Sequence, residues 1–301
     1  MNGKEVFIIK TPHREVGIRE ILSKFDLHAF SGDNVALKAN YNSDDPFPAS
    51  THLKTLKTMI EVLKESEVSS ITLTERSGMG NTRDVLESRG VFQLAEELDF
   101  EVMVLDEMDK KEWVKMEGRG THWIRGFYLP RLVLESDKIV QTCCLKTHRF
   151  GGHFTMSLKN SVGLVAKRLP GSLYDYMAEL HISPSQRLMI AEINQFYPVD
   201  LVLMDATKAF IDGGPDKGKL TQPEVLIAGT DRVAVDAVGV ALLRYLKTTK
   251  VVSNKSIFEL DQIKRAAELG VGVGSPDEIE IVPVNSDAEE LSLALDDLLK
   301  G

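Results

Sequence analysis

Short apolar runs alternate with segments of helical period along almost the whole chain, and this alternation restricts the fold more than any other feature. Val6–Ile9, Asn34–Ala39, Ser70–Thr74 and Glu101–Leu105 read as strands. Between them, Glu15–Phe25 and Thr51–Ser66 place apolar residues three and four apart, which predicts helices. Val85–Leu98 has the same period, with an interruption near Gly90. Repeated strand–helix units of this kind build a parallel sheet covered on both faces. The rhythm weakens from Asp106 to Leu129, where charges, Gly118 and Gly120 suggest a hairpin or small insertion. It resumes with a strand at Lys138–Leu145, a polar loop at Lys146–Ser157, a helix opening at Leu158–Val165 and a helix at Ser183–Phe196. Strands at Leu201–Asp205, Glu224–Ala228 and Ile279–Pro283 follow, with helices at Asp231–Leu246, Ile257–Leu269 and Ala288–Leu299. The expected fold class is α/β, mainly a parallel sheet of βα units with a small insertion or second subdomain. The expected division is an N-terminal βα part at 1–106, an insertion or hairpin at 107–137, and a C-terminal α/β part at 138–301.

Composition narrows the function classes. The net charge of −9, from 36 basic and 45 acidic residues, opposes sequence-independent nucleic-acid binding, which needs a basic surface. No apolar run reaches the roughly 20 residues needed to span a bilayer. Met1–Lys10 lacks the apolar core of a secretory signal, so a cytoplasmic location is expected. The two cysteines, Cys143 and Cys144, are adjacent. They form no Cys-x-x-Cys and cannot ligate an ordinary iron–sulfur cluster, so no internal cluster is expected.

Ligands in open α/β sheets bind beyond the carboxyl ends of strands. The first such end carries Lys38, Ala39 and Asn40, followed by Thr51-His52 at a helix start, a set suited to a carboxylate or phosphate. The next carries Glu75-Arg76-Ser77-Gly78-Met79-Gly80, which lacks the third glycine of a dinucleotide fingerprint and any Gly-Lys-Ser/Thr. Lys146 to Gly163 is the richest stretch, with Lys146, His148, Arg149, His153, Lys159, Asn160 and three glycines. Lysines held near one another repel, which lowers their pKa and suits nucleophilic or base chemistry; the same cluster suits a polyanion. Asp205 ends a strand, where it can orient a lysine or bind a metal, and Gly213-Gly214-Pro215 forms a turn beyond it. Asp236 lies inside an apolar helix and needs a buried partner, for which a site lysine would serve. His181 reads as a solvent-facing or capping residue. A metal on His148, His153 and Asp205 is poorly specified, so metal and cofactor stay unknown.

These segments carry a resemblance. Leu37-Lys38-Ala39-Asn40, Thr51-His52, Lys146-Thr147-His148, Leu158–Gly163, Asp205 with Gly213-Gly214-Pro215 and Gly218, and Asp231–Gly239 together resemble the family catalogued as domain of unknown function 362. The likeness spans about residues 35–240. The family usually has Lys-Pro-Asn where this chain has Lys38-Ala39-Asn40. Many members carry a fused ferredoxin-type cysteine-rich segment; this chain has none, so an iron–sulfur label does not transfer unless a partner supplies the cluster. A more distant likeness is to the nickel-pincer lactate racemases, which place histidine and lysine around a glycine-bearing loop before a helix, much as His148, Gly152 and Lys159 do here. That likeness implies a chemistry class, not a substrate.

The residues predict one polar pocket. Lys38, Asn40, His52 and Asn160 would bind ligand, Asp205 and Asp236 would act as counter-charges, and Lys146, His148 and Lys159 would carry the chemistry. Lys146 and Lys159 would hold a small anionic metabolite or anionic cofactor while His148 moves a proton. The competing expectation is a non-catalytic accessory module for a ferredoxin-like or other redox partner. Neither expectation involves nucleic acid or membrane.

Overall fold

The computed structural model describes residues 4–151 and 153–301; Gly152 lies outside the described residues. Strands β1 (Lys4–Lys10), β2 (Asn34–Lys38), β3 (Ser70–Glu75) and β4 (Glu101–Val104) alternate with helices Arg14–Leu22, Leu53–Glu65, Thr82–Ser88 and Val91–Leu98. The last two are one periodic segment broken at Gly90, which takes a left-handed φ of 74°. β5 (Trp113–Met116) and β6 (Phe127–Pro130) pair antiparallel as a small separate sheet. β7 (Lys138–His148), β8 (His153–Thr155), β9 (Leu201–Gly213), β10 (Gly218–Thr221), β11 (Val225–Gly229) and β12 (Ile279–Pro283) complete a ten-stranded sheet. Its order is β12-β1-β11-β9-β7-β2-β3-β4, with β8 and β10 folded back on β7 and β9. The run from β9 through β7, β2 and β3 to β4 is parallel, while β11 runs antiparallel to both its neighbours. The fold is α/β with a mainly parallel mixed sheet. Among the described residues no helix is long and apolar enough to cross a membrane.

The helices cover both faces because their apolar stripes demand it. Leu56, Met59, Ile60 and Leu63 of Leu53–Glu65 are fully buried against Val35, Leu37, Ile71 and Leu73. Each such side chain contributes about 1.5–3 kcal/mol. On the other face, Val233, Ala237, Val238 and Ala241 of the helix Arg232–Tyr245 pack on Val202, Met204 and Ile227. A third cluster, around Trp123, Phe127 and Leu129, joins the small sheet to helices Tyr176–Ile182 and Gln186–Ile193.

The chain order places a crevice. β2 sends its crossover to β3 on one side, and β7 sends its own to β9 on the other. The carboxyl ends of β2 and β7 are therefore a topological switch point, where connecting segments part and leave room for a ligand.

Three local expectations are corrected. The polar run at Lys146–Ser157 is not a loop: β7 continues through His148 and turns into β8, with Lys146 opposite Thr155 and His148 opposite His153. Cross-strand pairing satisfies the backbone there, so polar side chains do not end the strand. β9 likewise runs on to Gly213, which puts Asp205 inside a strand rather than at its end. The helix expected over Ser183–Phe196 instead opens at Gln186 and runs to Ile193, and a break separates it from a preceding helix, Tyr176–Ile182, which contains His181 and ends at Ser183. Pro184 explains the break, since it disfavours helical backbone at the residue before it.

Candidate functional site

Lys38 closes β2 and Glu75 closes β3, while Lys146 and His148 sit two apart at the end of β7. Lys159 and Asn160 come from the short helix Ser157–Asn160 that follows the β7–β8 hairpin. These side chains, with Asn40, Arg76, Phe150, Thr155, His181 and Pro215, line a cavity of about 320 Å³ at the switch point.

Buried polar contacts hold that short helix over the crevice. Asp236 accepts hydrogen bonds from the backbone N–H groups of Ser157 (2.8 Å) and Leu158 (3.0 Å). Asn160 Nδ2 donates to the Thr142 carbonyl at 3.2 Å, and Asn194 Nδ2 donates to the Leu158 carbonyl at 3.1 Å. Gly163 permits the close approach of the segment that follows. A Cβ there would lie 2.8 Å from Lys38 Nζ and 3.0 Å from Glu75 Oε1. The Gly213-Gly214-Pro215 turn backs the end of β7, where a Cβ on Gly214 would meet the Thr147 carbonyl oxygen.

The donors in the cavity are unequally engaged. An ammonium has three N–H donors. Lys38 uses all three, on Glu75 (2.7 Å), Asn160 Oδ1 (3.2 Å) and the Ala39 carbonyl. Glu75 also accepts from the backbone N–H groups of Tyr41 and Arg76, so the pair is fixed as wall. Arg76 donates to the carbonyls of Val165, Ser77 and Val162. Lys146 donates to the Pro48 carbonyl at 3.2 Å and to the Ala49 carbonyl, leaving one donor. Lys159 Nζ has no hydrogen-bond partner among the described residues. His148 Nδ1 is buried and unpartnered.

Four cationic side chains, Lys38, Arg76, Lys146 and Lys159, thus share the cavity with one carboxylate, Glu75. Burial, reinforced by Lys146 and Arg76, pushes the Lys159 amine down to about 8. Burial and then Lys159 and Lys146 hold His148 far below the ordinary imidazole range, so it is neutral. Burial lowers Lys38 and raises Glu75, opposed by their mutual attraction. An anion in the cavity would cancel the repulsion acting on Lys159 and His148 and raise both.

Other expected residues lie elsewhere. His52 caps the helix Leu53–Glu65, its Nδ1 accepting from Lys54 N at 3.1 Å. It lines a separate depression with Arg14, Phe47 and Lys208. Asp205 accepts from Arg14 Nε (2.8 Å), Thr55 Oγ1 (2.6 Å) and both the backbone N–H and hydroxyl of Thr207, and does not line the cavity. Asp236 finds its partners in backbone N–H groups rather than in a lysine, and burial raises it to about 7. Asn40 lines the cavity but ties down the loop after β2, bonding Thr51 Oγ1 and the Ala49 carbonyl. Sequence reasoning missed Glu75, Arg76 and His181 as cavity residues. A charged pair directly after a buried strand beside β2 was the available signal for the first two. His181 had none, because its helix is brought in by tertiary packing. A larger groove of about 600 Å³ lies at the opposite, amino-terminal ends of the strands, beside Asn34, Ser70 and Glu101, without this convergence of cations.

A family model described as domain of unknown function (DUF362) matches residues 35–241, more than half of the chain. The chain belongs to the DUF362 family. The match contains every residue lining the cavity of this DUF362 protein, from Lys38 to Pro215. No curated protein matches the chain in sequence. Among solved structures, the chain is similar to the lactate racemase apoprotein from Thermoanaerobacterium thermosaccharolyticum, with a TM-score of 0.51 and 12% identity. That alignment covers 80% of this chain and 56% of the racemase, a likeness of fold. The DUF362 chain thus spans little more than half the length of that protein.

A metal held by side chains alone does not fit this cavity. Among the described residues no three His, Cys, Asp or Glu side chains come together as a ligand set. Asp205, Arg14 and Thr55 satisfy one another away from His148. Cys143 and Cys144 are buried, and burial raises both thiols. The donors in the cavity are N–H groups, which suit anionic oxygen.

Proposed function

We propose that this DUF362 protein is an enzyme acting on a small anionic metabolite, or on an anionic cofactor, bound at the switch point between β2 and β7. The reading rests on one observation: Lys146 and Lys159 present unengaged N–H donors to a cavity whose other cations are already satisfied. Lys146 and Lys159 hold a carboxylate or phosphate. Lys38, Glu75 and Asn160 form a wall, and Asn40 fixes the loop beside it. His148 moves a proton. Burial and then the like charges of Lys159 and Lys146 depress it in the free protein, and binding an anion offsets the charge part of that shift.

The test is calorimetric titration with phosphate and short-chain carboxylates, followed by incubation of each binder in D2O. Binding with deuterium entering a carbon position next to the anionic group supports the reading. Binding without turnover of any kind favours the accessory-module alternative. Lack of binding by any small anion overturns the proposal.

A further inference from the structure

Among the described residues, and of the four cations in the cavity, only the Lys159 amine has neither an acceptor nor a carboxylate beside it. Lys38 is saturated by Glu75, Asn160 and the Ala39 carbonyl; Arg76 is held by three carbonyls; Lys146 is anchored to Pro48 and Ala49. The charges felt by Lys159 are those of Lys146 and Arg76, both of which favour its neutral form. A half-buried amine kept out of ion pairs in a cavity suits a nucleophile better than a structural cation. Lys146 retains one donor for an anionic group nearby. His148, whose Nδ1 is unpartnered, stands in the same cavity.

We propose that Lys159 Nζ attacks the carbonyl carbon of a small 2-oxo acid, whose carboxylate is held by Lys146, and forms an imine. This rests on the anion-binding reading above and deepens it. A carbonyl carbon next to a carboxylate is the smallest substrate that engages both groups. The free amine forms the C–N bond, the nitrogen gives up one proton and the former carbonyl oxygen takes one, giving a neutral carbinolamine. That hydroxyl leaves as water after a further protonation, as the nitrogen lone pair closes the C=N bond. Overall, amine, ketone and one proton give a protonated imine and water, with no oxidant or reductant. The fixed positive charge of the imine then acidifies the neighbouring C–H or weakens the bond to the carboxylate. His148 is the group placed to relay the protons.

The experiment treats the full chain with pyruvate and cyanoborohydride, then maps reduced adducts by peptide mass spectrometry, with pyruvate binding measured separately by calorimetry. The expected result is a reduced adduct on Lys159 ahead of exposed lysines such as Lys54. At pyruvate concentrations well below saturation its rate should climb with pH through about 8, where Lys159 of the free protein loses its proton. Lys159→Arg, which keeps the charge but not the nucleophile, should bind pyruvate and lose that adduct. Adducts confined to exposed lysines, while pyruvate still binds, overturn the imine and leave the anion site standing. Failure of pyruvate, phosphate and other small carboxylates to bind overturns both. Mapping of the unaltered protein decides the matter even where a variant fails to fold.

Discussion

Two clusters of buried charge adjoin the middle strands of one sheet, and they differ in what each leaves unsatisfied. Around Asp205, every oxygen is engaged: Arg14, Thr55 and Thr207 supply four donors from three separate elements. Around Lys159, the count does not close among the described residues: His148 Nδ1 is buried without a partner, and the partly exposed Lys159 amine and one N–H of Lys146 meet no acceptor there. A buried polar group without a partner costs stability, so a folded chain tolerates several together where a ligand completes them. The Asp205 cluster is a tether between helices and sheet. The switch-point cavity is the candidate site.

Substitutions separate the two clusters in graded ways. The largest effect belongs to Asp205→Ala, which strands Arg14 and Thr55. It should destabilise by about 3 kcal/mol in chemical denaturation, while anion affinity of the folded fraction stays within about twofold. Lys159→Met should do the reverse. Loss of a charged donor should weaken anion binding by about 10- to 100-fold in calorimetry, with thermal stability unchanged or raised, because a buried charge is removed. Gly163→Ala should disturb both properties, since its methyl group meets the Lys38–Glu75 pair; a loss of about 1–2 kcal/mol with weaker anion binding is expected. The smallest effect is that of His52→Ala, which removes a helix cap and should cost about 1 kcal/mol in a thermal melt without touching affinity.

The pH response sharpens the contrast further. The free-state pKa of Lys159 is lowered, and an anion binds its protonated form, so binding raises that pKa. Affinity is therefore full at neutral pH and falls as pH rises through about 8. An ordinary surface lysine would sustain binding to about pH 10.

The fold was largely legible because its signals are local. The apolar periods of Leu53–Glu65 and Arg232–Tyr245, the N-cap at Asp231 and the break at Gly90 all act within a few residues. The ends of β7 and β9 were misread because their polar residues are stabilised by pairing with β8 and β10, which local hydropathy does not encode. At the site, Lys38, Asn40, Lys146, His148, Lys159 and Asn160 were picked from strand ends and one dense loop, and they do line one cavity. Their division into saturated and unsaturated donors was not legible. It depends on carbonyls at Pro48, Ala49 and Ala39 and on the Glu75 carboxylate, which only tertiary folding brings near. Asp205 and Asp236 looked like counter-charges for the same reason, since a sequence does not reveal which donor each carboxylate meets.

The most direct measurement is a calorimetric titration of phosphate and pyruvate into the unaltered protein, Lys159→Met and Asp205→Ala, across the pH range around 8. At least one anion should bind the unaltered protein and folded Asp205→Ala alike, Lys159→Met should lose the affinity, and binding should fade as pH rises. Equal binding by the unaltered protein and Lys159→Met, or no binding by either, would overturn the assignment of Lys159 to an anion site.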